Sequence, residues 1–526
     1  MIKLNRPKLV YKYCLVVALL LLVISATLFK EWETKTPPNI IFIMSDDHTT
    51  NAISAYGGLF KDIAPTPNID RLAKEGALFT NTFCTNAICG PSRAAILTGK
   101  YSHLNGFYKN EGGDPFDGSQ LTFPKLLKEA GYTTALVGKW HLWSEPTGFD
   151  YFKYHILNGE QGVYWNPTYN ENGKETQEMG YATNLAGDFA LDWLDSIRDK
   201  SKPFCLLYQF KAPHRPWRPD SIYVDLFSDK EMPYPATFND EYKGREKTAG
   251  QAMMTIKNHL NRRDLKMNPP EGLKGYELNK WERVGDNGEY VSPSDTLVGE
   301  NLKRWKYQRY IKDYLACIRS VDDNIGRVLD FLENNGLTEN TVIVYTGDQG
   351  FFLGEHGWYD KRFMYEESLR MPLIIKYPRE VKAGKILSET TLNIDFAPSL
   401  LEFAGIEKPF EMQGESFVPI LRGEKAENWR TSMYYHYYEY PKWHNVQPHY
   451  GIRTDRYKLI HFYYDVDIWE LYDLKEDPNE LTNLYNNPEY NYLIANLKKE
   501  LKNQQKKYND DVTVDEMKKM TEIGMF

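Results

Sequence analysis

The segment NIIFIMSDD (residues 39–47) is an unbroken apolar run that ends in two neighbouring carboxylates, Asp46 and Asp47. A run this short, rich in isoleucine and bounded by turn residues, is the pattern of a strand buried on both faces. The next stretch, TPNIDRLAKEG (66–76), reads as a helix with proline in its first turn and glycine past its end. Outward from this pair the pattern repeats. TTALVG (133–138), PFCLLYQF (203–210), NTVIVYTGD (340–348) and PLIIKYP (372–378) are further short apolar runs separated by helical periodicity. Leu315, Ile318, Val321, Ile325, Val328, Leu329 and Leu332 fall at three- and four-residue steps, the stripe of a long helix closed by Gly336. The fold class is therefore α/β, with a large, mostly parallel sheet flanked by helices. Residues 220–300, rich in charge, proline and glycine, read as an elaborated loop over the sheet, a candidate lid.

The pattern changes after residue 423. YGIRTDRYKLIHFYY (450–464) and WELYDL (469–474) carry aromatic and β-branched residues in short runs joined by polar turns, which predicts antiparallel strands. A Lys/Glu-rich helix follows over 492–508. The expected division is a catalytic domain over 37–423 and a smaller α+β subdomain on an antiparallel sheet over 424–526. Before them, residues 1–36 read as an export segment and short linker: Lys3, Arg6, Lys8 and Lys12 form a basic head, and 14–29 is an apolar run. That run falls just short of the roughly 18 residues of a spanning helix, so a cleaved signal peptide is expected, with an uncleaved membrane anchor as the alternative. Export to the periplasm follows, with the cell surface or the medium as alternative destinations.

The formal charge of −8 argues against nucleic acid as a partner, because a phosphate-binding surface shows as a basic excess. The five cysteines, Cys14, Cys84, Cys89, Cys205 and Cys317, have spacings of neither a disulfide framework nor a zinc site.

In an open α/β sheet, ligands gather at the carboxyl ends of the strands. Those ends here carry Asp46, Asp47 and His48, then Lys139 and His141, then His214, then Asp348 and Gln349. Asp46, Asp47, Asp348 and the Gln349 amide oxygen are hard oxygen ligands suited to calcium or magnesium. Three carboxylates converging without a cation would repel and raise one another's pKa values. His48, His103 and His356 lie near these segments and read as structural.

The most specific stretch is TNAICGPSRAAILTGKYSHLNG (85–106), in which Cys89-Gly90-Pro91-Ser92-Arg93 fits C-x-P-S-R. It resembles the signature of the type I, formylglycine-dependent sulfatases of the alkaline phosphatase-like superfamily. The resemblance extends over nearly the whole chain after Pro37: IMSDDH, GKWH (138–141), APH (212–214), TGDQG (346–350) and GWYDKRFMYEESLRMPLI (357–374) follow in that family's order. One departure is Gln349, where many members have asparagine. The resemblance implies that Cys89 is oxidised to formylglycine (3-oxoalanine) by a formylglycine-generating or anaerobic sulfatase-maturating enzyme. It implies one calcium ion per chain on Asp46, Asp47, modified Cys89, Asp348 and Gln349. It implies that Arg93 favours the alkoxide of the formylglycine hydrate, that Lys139 and Lys361 bind the sulfuryl oxygens, that His214 protonates the leaving oxygen near neutral pH, and that His141 takes a proton as sulfate is expelled.

The expected activity is hydrolysis of sulfate monoesters on a carbohydrate, either an algal glycan such as ulvan or carrageenan or a glycosaminoglycan or mucin N-acetylglucosamine 6-sulfate. Arg362 joins Lys139, His214 and Lys361 as a substrate-binding candidate. Arg215, Trp217 and Arg218 are candidates only because they flank catalytic segments. The alternatives are a phosphonate or phosphodiester hydrolase of the same superfamily and a non-catalytic sulfated-glycan binding protein.

Overall fold

The computed structural model describes residues 36–267, 297–424, 427–441 and 444–522. The expected export segment lies outside them except for Thr36, as does part of the expected lid. Among the described residues, no helix is long and apolar enough to cross a membrane. From Pro38 the chain forms one compact unit.

Ten strands make the main sheet: β1 (Asn39–Ser45), β2 (Ala77–Phe79), β3 (Thr133–Gly138), β4 (Tyr151–His155), β5 (Thr168–Glu171), β6 (Lys174–Gln177), β7 (Phe204–Phe210), β8 (Thr341–Gly347), β9 (Leu373–Lys376) and β10 (Lys385–Leu387). Their order is β10-β2-β9-β8-β1-β7-β3-β4-β5-β6. The centre, β8-β1-β7-β3-β4, is parallel. On one side β9 alone is reversed, antiparallel to β8 and β2, while the edge strand β10 pairs β2 in parallel; on the other, β5 and β6 form an antiparallel hairpin on β4. The sheet is thus mixed, and the PLIIKYP run, whose composition matches that of its parallel neighbours, enters in the opposite sense. Apolar runs report burial and carry no strand direction.

Helices α1 (Pro67–Glu75), α2 (Cys89–Thr98), α3 (Phe123–Glu129), α4 (Ala182–Asp192), α5 (Gly299–Asn334), α6 (Phe396–Phe403) and α7 (Asn491–Lys507) follow the chain. Helices α1, α4 and α5 pack in one group, and α2, α3 and α6 in another. Phe42 of β1 meets Phe123 and Phe396 of the second group at ring-centroid distances of 6.2 and 5.9 Å. The long helix carries the expected stripe, buried from Leu315 to Leu332, and starts as early as Gly299. Gly336 sits just beyond it at φ 65°, the left-handed turn that suits glycine. The described part of 220–267 is mostly turns, with short 3₁₀ segments at Ser221–Tyr223 and Ala249–Gln251.

The second sheet is antiparallel, in the order β11 (Ser432–Tyr437), β12 (His449–Thr454), β13 (Tyr457–Phe462) and β14 (Ile468–Asp473), with α7 packed on it. Its first strand, SMYYHY, was not among the runs read from the sequence. It is buried along its whole length and supplies Tyr435, whose hydroxyl donates to the Arg362 carbonyl at 2.6 Å and accepts from the Ala87 amide at 3.1 Å. This sheet therefore braces two chemistry-bearing loops.

Candidate active site

Strand register brings the polar groups together. Ser45 of β1 pairs with Phe210 of β7 and Gly347 of β8, so Asp46 and Asp348 emerge side by side. Gly138 of β3 pairs with Gln209, and the Lys139 amide donates to the Gln209 carbonyl at 2.8 Å. A Cβ at Gly138 would lie 1.8 Å from that carbonyl oxygen, and the backbone there has φ 105°, so only glycine fits. Successive strand residues point to opposite faces. Asp47 escapes this rule with φ 65°, its amide donating to Asp348 Oδ1 at 3.1 Å and its carbonyl accepting from the Tyr314 hydroxyl at 2.6 Å. The turn brings both neighbouring carboxylates to one place.

Oxygen atoms of Asp46, Asp47 and Asp348 lie within 4.8 Å of one another, and all three residues are buried. Asp46 Oδ1, Asp47 Oδ2 and Gln349 Oε1 have no hydrogen-bond partner. Orphaned, buried acceptors of this kind are costly unless a cation meets them. Burial, with Asp46 and Asp348 beside it, pushes Asp47 up to about 7 against the pull of Lys361. Burial and Asp46 push Asp348 up to about 6. Burial also works against charge on Asp46, but Lys139, His214, Arg93 and Lys361 together hold it well below the carboxylate range. An all-oxygen set with three unmet acceptors fits a hard divalent ion, including Gln349, whose Nε2 donates to Asp47 Oδ1 and leaves its oxygen free.

Cys89 opens helix α2, and its Sγ lies 3.9 Å from Asp47 Oδ1. It also groups with Asp46 and His214. Burial and the Asp46 charge raise its thiol well above the ordinary range, so the encoded side chain is no thiolate nucleophile at neutral pH. Arg93 lies one helical turn on and is close enough to Cys89 to interact with it electrostatically. Its Nε and Nη2 reach Asp348 Oδ2, each at 3.0 Å, and its Nη1 donates to the Lys139 carbonyl at 3.0 Å and to Gln209 Oε1 at 2.9 Å. It joins three strand ends.

Lys139 donates to Asp46 Oδ2 and to Gln161 Oε1. Lys361 donates to Asp47 Oδ1 at 2.6 Å. An ammonium can only donate, so the Gln161 oxygen must face Lys139, and its Nε2 then donates to His141 Nε2 at 2.9 Å. Neutral His141 consequently carries its proton on Nδ1, which has no partner. His214 Nδ1 donates to the Arg215 carbonyl at 2.7 Å, leaving Nε2 as its acceptor nitrogen, 3.9 Å from Asp47 Oδ2. Burial drives His214 well below the ordinary histidine value despite Asp46, and burial and Lys139 do the same to His141. The site is dry, and Lys139, Lys211 and Lys361 oppose a further positive charge on His214.

His141, His214, Lys361 and Arg362 line a cavity of about 220 Å³. Its outer wall includes Trp143, Arg215, Asp264, Asp360, Glu439 and His444. Arg362 is held by Asp360 and lies 3.7 Å from Glu439. Arg215 pairs with Asp264, Nε to Oδ1 at 3.2 Å. Trp217 is no sugar contact: it is fully buried against Tyr310, 4.3 Å between ring centroids, and Arg218 is buried too. His48, His103 and His356 are structural in geometry, bonded respectively to Tyr345, to the Tyr508 carbonyl at 2.7 Å and to Asp240 at 2.8 Å. Gln161, Gln209, Asp360 and His444 were missed by sequence reasoning. Gln161 and His444 sit in loops and Gln209 near a strand end, none of them in a motif, whereas Asp360 lies inside GWYDKRFMYEESLRMPLI beside Lys361.

The sulfatase family model matches residues 38–406, and a C-terminal model described as N-sulphoglucosamine sulphohydrolase matches residues 354–507. The chain belongs to the sulfatase family. It is a sulfuric ester hydrolase. This sulfatase is 49% identical over 499 residues to an N-acetylglucosamine-6-O-sulfatase of Bacteroides thetaiotaomicron, covering 91% of this chain and 88% of that protein. It is 27% identical to an arylsulfatase of Clostridium perfringens, covering 90% and 96%. Among solved structures, one in complex with its substrate D-glucosamine-2-N,6-O-disulfate superposes with a TM-score of 0.84 at 47% identity, covering 91% of this chain and 99% of that one. A phosphonate monoester hydrolase of Silicibacter pomeroyi, at 21% identity and a TM-score of 0.69, shares the fold alone.

Proposed function

We propose that this sulfatase removes the 6-O-sulfate from N-acetylglucosamine or N-sulfoglucosamine units of a sulfated glycan outside the cytoplasm. The observation that carries the reading is the 49% identity to an N-acetylglucosamine-6-O-sulfatase over nine-tenths of the chain. The substrate named for the 47%-identical solved structure supports it.

Cys89 is read as the precursor of formylglycine, whose hydrate would supply an oxygen nucleophile and later release sulfate by reverting to the aldehyde. Asp46, Asp47, Asp348 and Gln349, with the modified residue 89, would hold one calcium ion, which supplies positive charge to the sulfuryl oxygens.

The protein's own residues do the rest. Lys139 and Lys361 bring two ammonium groups to the sulfuryl oxygens, where charge grows as the ester bond breaks. His214 gives a proton to the departing sugar oxygen through Nε2, its Nδ1 being engaged by the Arg215 carbonyl. The negative charge of the bound ester favours the imidazolium, which takes its proton from solvent before passing it to the leaving oxygen. His141 accepts a proton during release of sulfate. Arg93 acts through others, orienting Asp348 and the Lys139 backbone. Arg362, fixed by Asp360, faces the sugar.

The deciding experiment uses enzyme whose formylglycine content has been measured by mass spectrometry. With calcium present, N-acetylglucosamine 6-sulfate, glucosamine 2-N,6-O-disulfate and a phosphonate monoester are offered in parallel. Release of the 6-O-sulfate, abolished in Cys89→Ala, is expected. The reading fails if the N-sulfate is lost instead, as the C-terminal family description would favour, or if only the phosphonate is cleaved.

A further inference from the structure

Among the described residues Trp143 is the one exposed tryptophan, with 42% of its surface accessible. It stands two positions after His141 on the wall of the cavity, its indole 6.2 Å from the His141 ring between centroids and tilted by 50°. An apolar ring left in water beside a reaction centre is unusual when the other described tryptophans are at least partly covered.

The ring is held in place deliberately. Its Nε1 donates to the Asn110 carbonyl at 3.0 Å. The amides of Leu142 and Trp143 both donate to Glu160 Oε2 at 3.0 Å. Gly159 lies against its benzo edge, where a Cβ would come within 2.7 Å. The backbone of Trp143 itself has φ 57°, in the left-handed region that a bulky side chain avoids. Strain of this kind persists only where surrounding contacts impose it, and it collects at ligand-binding sites. Here the contacts that impose it also fix the indole and leave part of it exposed.

We propose that Trp143 is a stacking platform for the pyranose ring that carries the sulfate ester. The electron-rich face of an indole attracts the weakly positive C–H groups on the apolar face of a sugar, and its rigid, pre-set position loses little entropy on contact. The separation from His141 suits the sugar bearing the reacting sulfate, one short arm away from sulfur. This inference rests on the substrate being a sulfated sugar and adds the residue that grips it. Trp143 is a binding residue and touches no reacting atom.

The test compares Trp143→Ala and Trp143→Phe with wild type on N-acetylglucosamine 6-sulfate, each fully modified and calcium-loaded. Stacking predicts a KM for Trp143→Ala raised about tenfold with kcat within about twofold, and substantial recovery in Trp143→Phe. Tryptophan fluorescence of Cys89→Ala should shift on adding the sugar sulfate, and the shift should vanish in Cys89→Ala/Trp143→Phe. An unchanged KM in Trp143→Ala, a fall in kcat alone, or a Phe variant as poor as the Ala variant overturns the proposal. Wild type inert on every sulfated sugar is a different failure, that of the substrate reading itself.

Discussion

Lys361 Nζ lies 2.6 Å from Asp47 Oδ1, across 314 positions of sequence, and both side chains are almost completely buried. Burial disfavours the lysine's charge, but Asp47, Asp360 and Asp46 outweigh it and hold Lys361 well above the ordinary lysine range. The ammonium form is thus favoured. Lys361→Met keeps the stem and removes that charge, and kcat for sulfate release should fall by roughly 10²–10³-fold, the usual cost of deleting one transition-state donor. Ion chromatography of released sulfate checks it; a change under threefold would remove Lys361 from the chemistry.

Three buried carboxylates brought together, with orphaned oxygens on Asp46, Asp47 and Gln349, predict dependence on a divalent ion. Chelation followed by dialysis should abolish turnover and lower Tm by a few degrees, and calcium should restore both. Calcium at about 100 times its Kd adds on the order of 2–3 kcal/mol to folding. Melting curves that coincide with and without the ion would contradict the assignment.

Gln161 ties Lys139 to His141. In Gln161→Glu a carboxylate still accepts from Lys139 but no longer donates to His141, so the histidine proton moves to Nε2. A drop in kcat of about tenfold with KM nearly unchanged is expected, and nitrogen-15 spectra of labelled histidine should register the tautomer change. If Gln161→Glu matches wild type in both measurements, the amide is a bystander.

Asp322, away from this site, accepts from the amides of Asn68 at 3.0 Å and Ile69 at 2.9 Å at the start of α1. Burial lifts it from 3.8 to about 6, against the pull of those amides. A carboxyl raised in the folded state stabilises the fold fully below 3.8, and this contribution is lost as pH rises through about 6. Asp322→Asn cannot ionise. Its stability relative to wild type should therefore improve by on the order of 2–3 kcal/mol between pH 3.5 and 7. Denaturant midpoints at the two pH values test this, and a pH-independent difference would refute it.

The amino-acid sequence by itself determined the central strands, the long helix, the antiparallel C-terminal strands and the family, because short apolar runs and the Cys89 pentapeptide are local patterns. It also marked the clustered carboxylates, since strand ends are readable where an apolar run stops. Tertiary structure alone decided which way PLIIKYP runs and that SMYYHY is a strand bracing Arg362 and the segment before Cys89. It alone turned Arg93 toward Asp348, made Gln161 the link between Lys139 and His141, buried Trp217 and left Trp143 in water. Direction, hydrogen-bond partnership and exposure are relations between segments far apart in the chain, and the composition of either segment does not contain them.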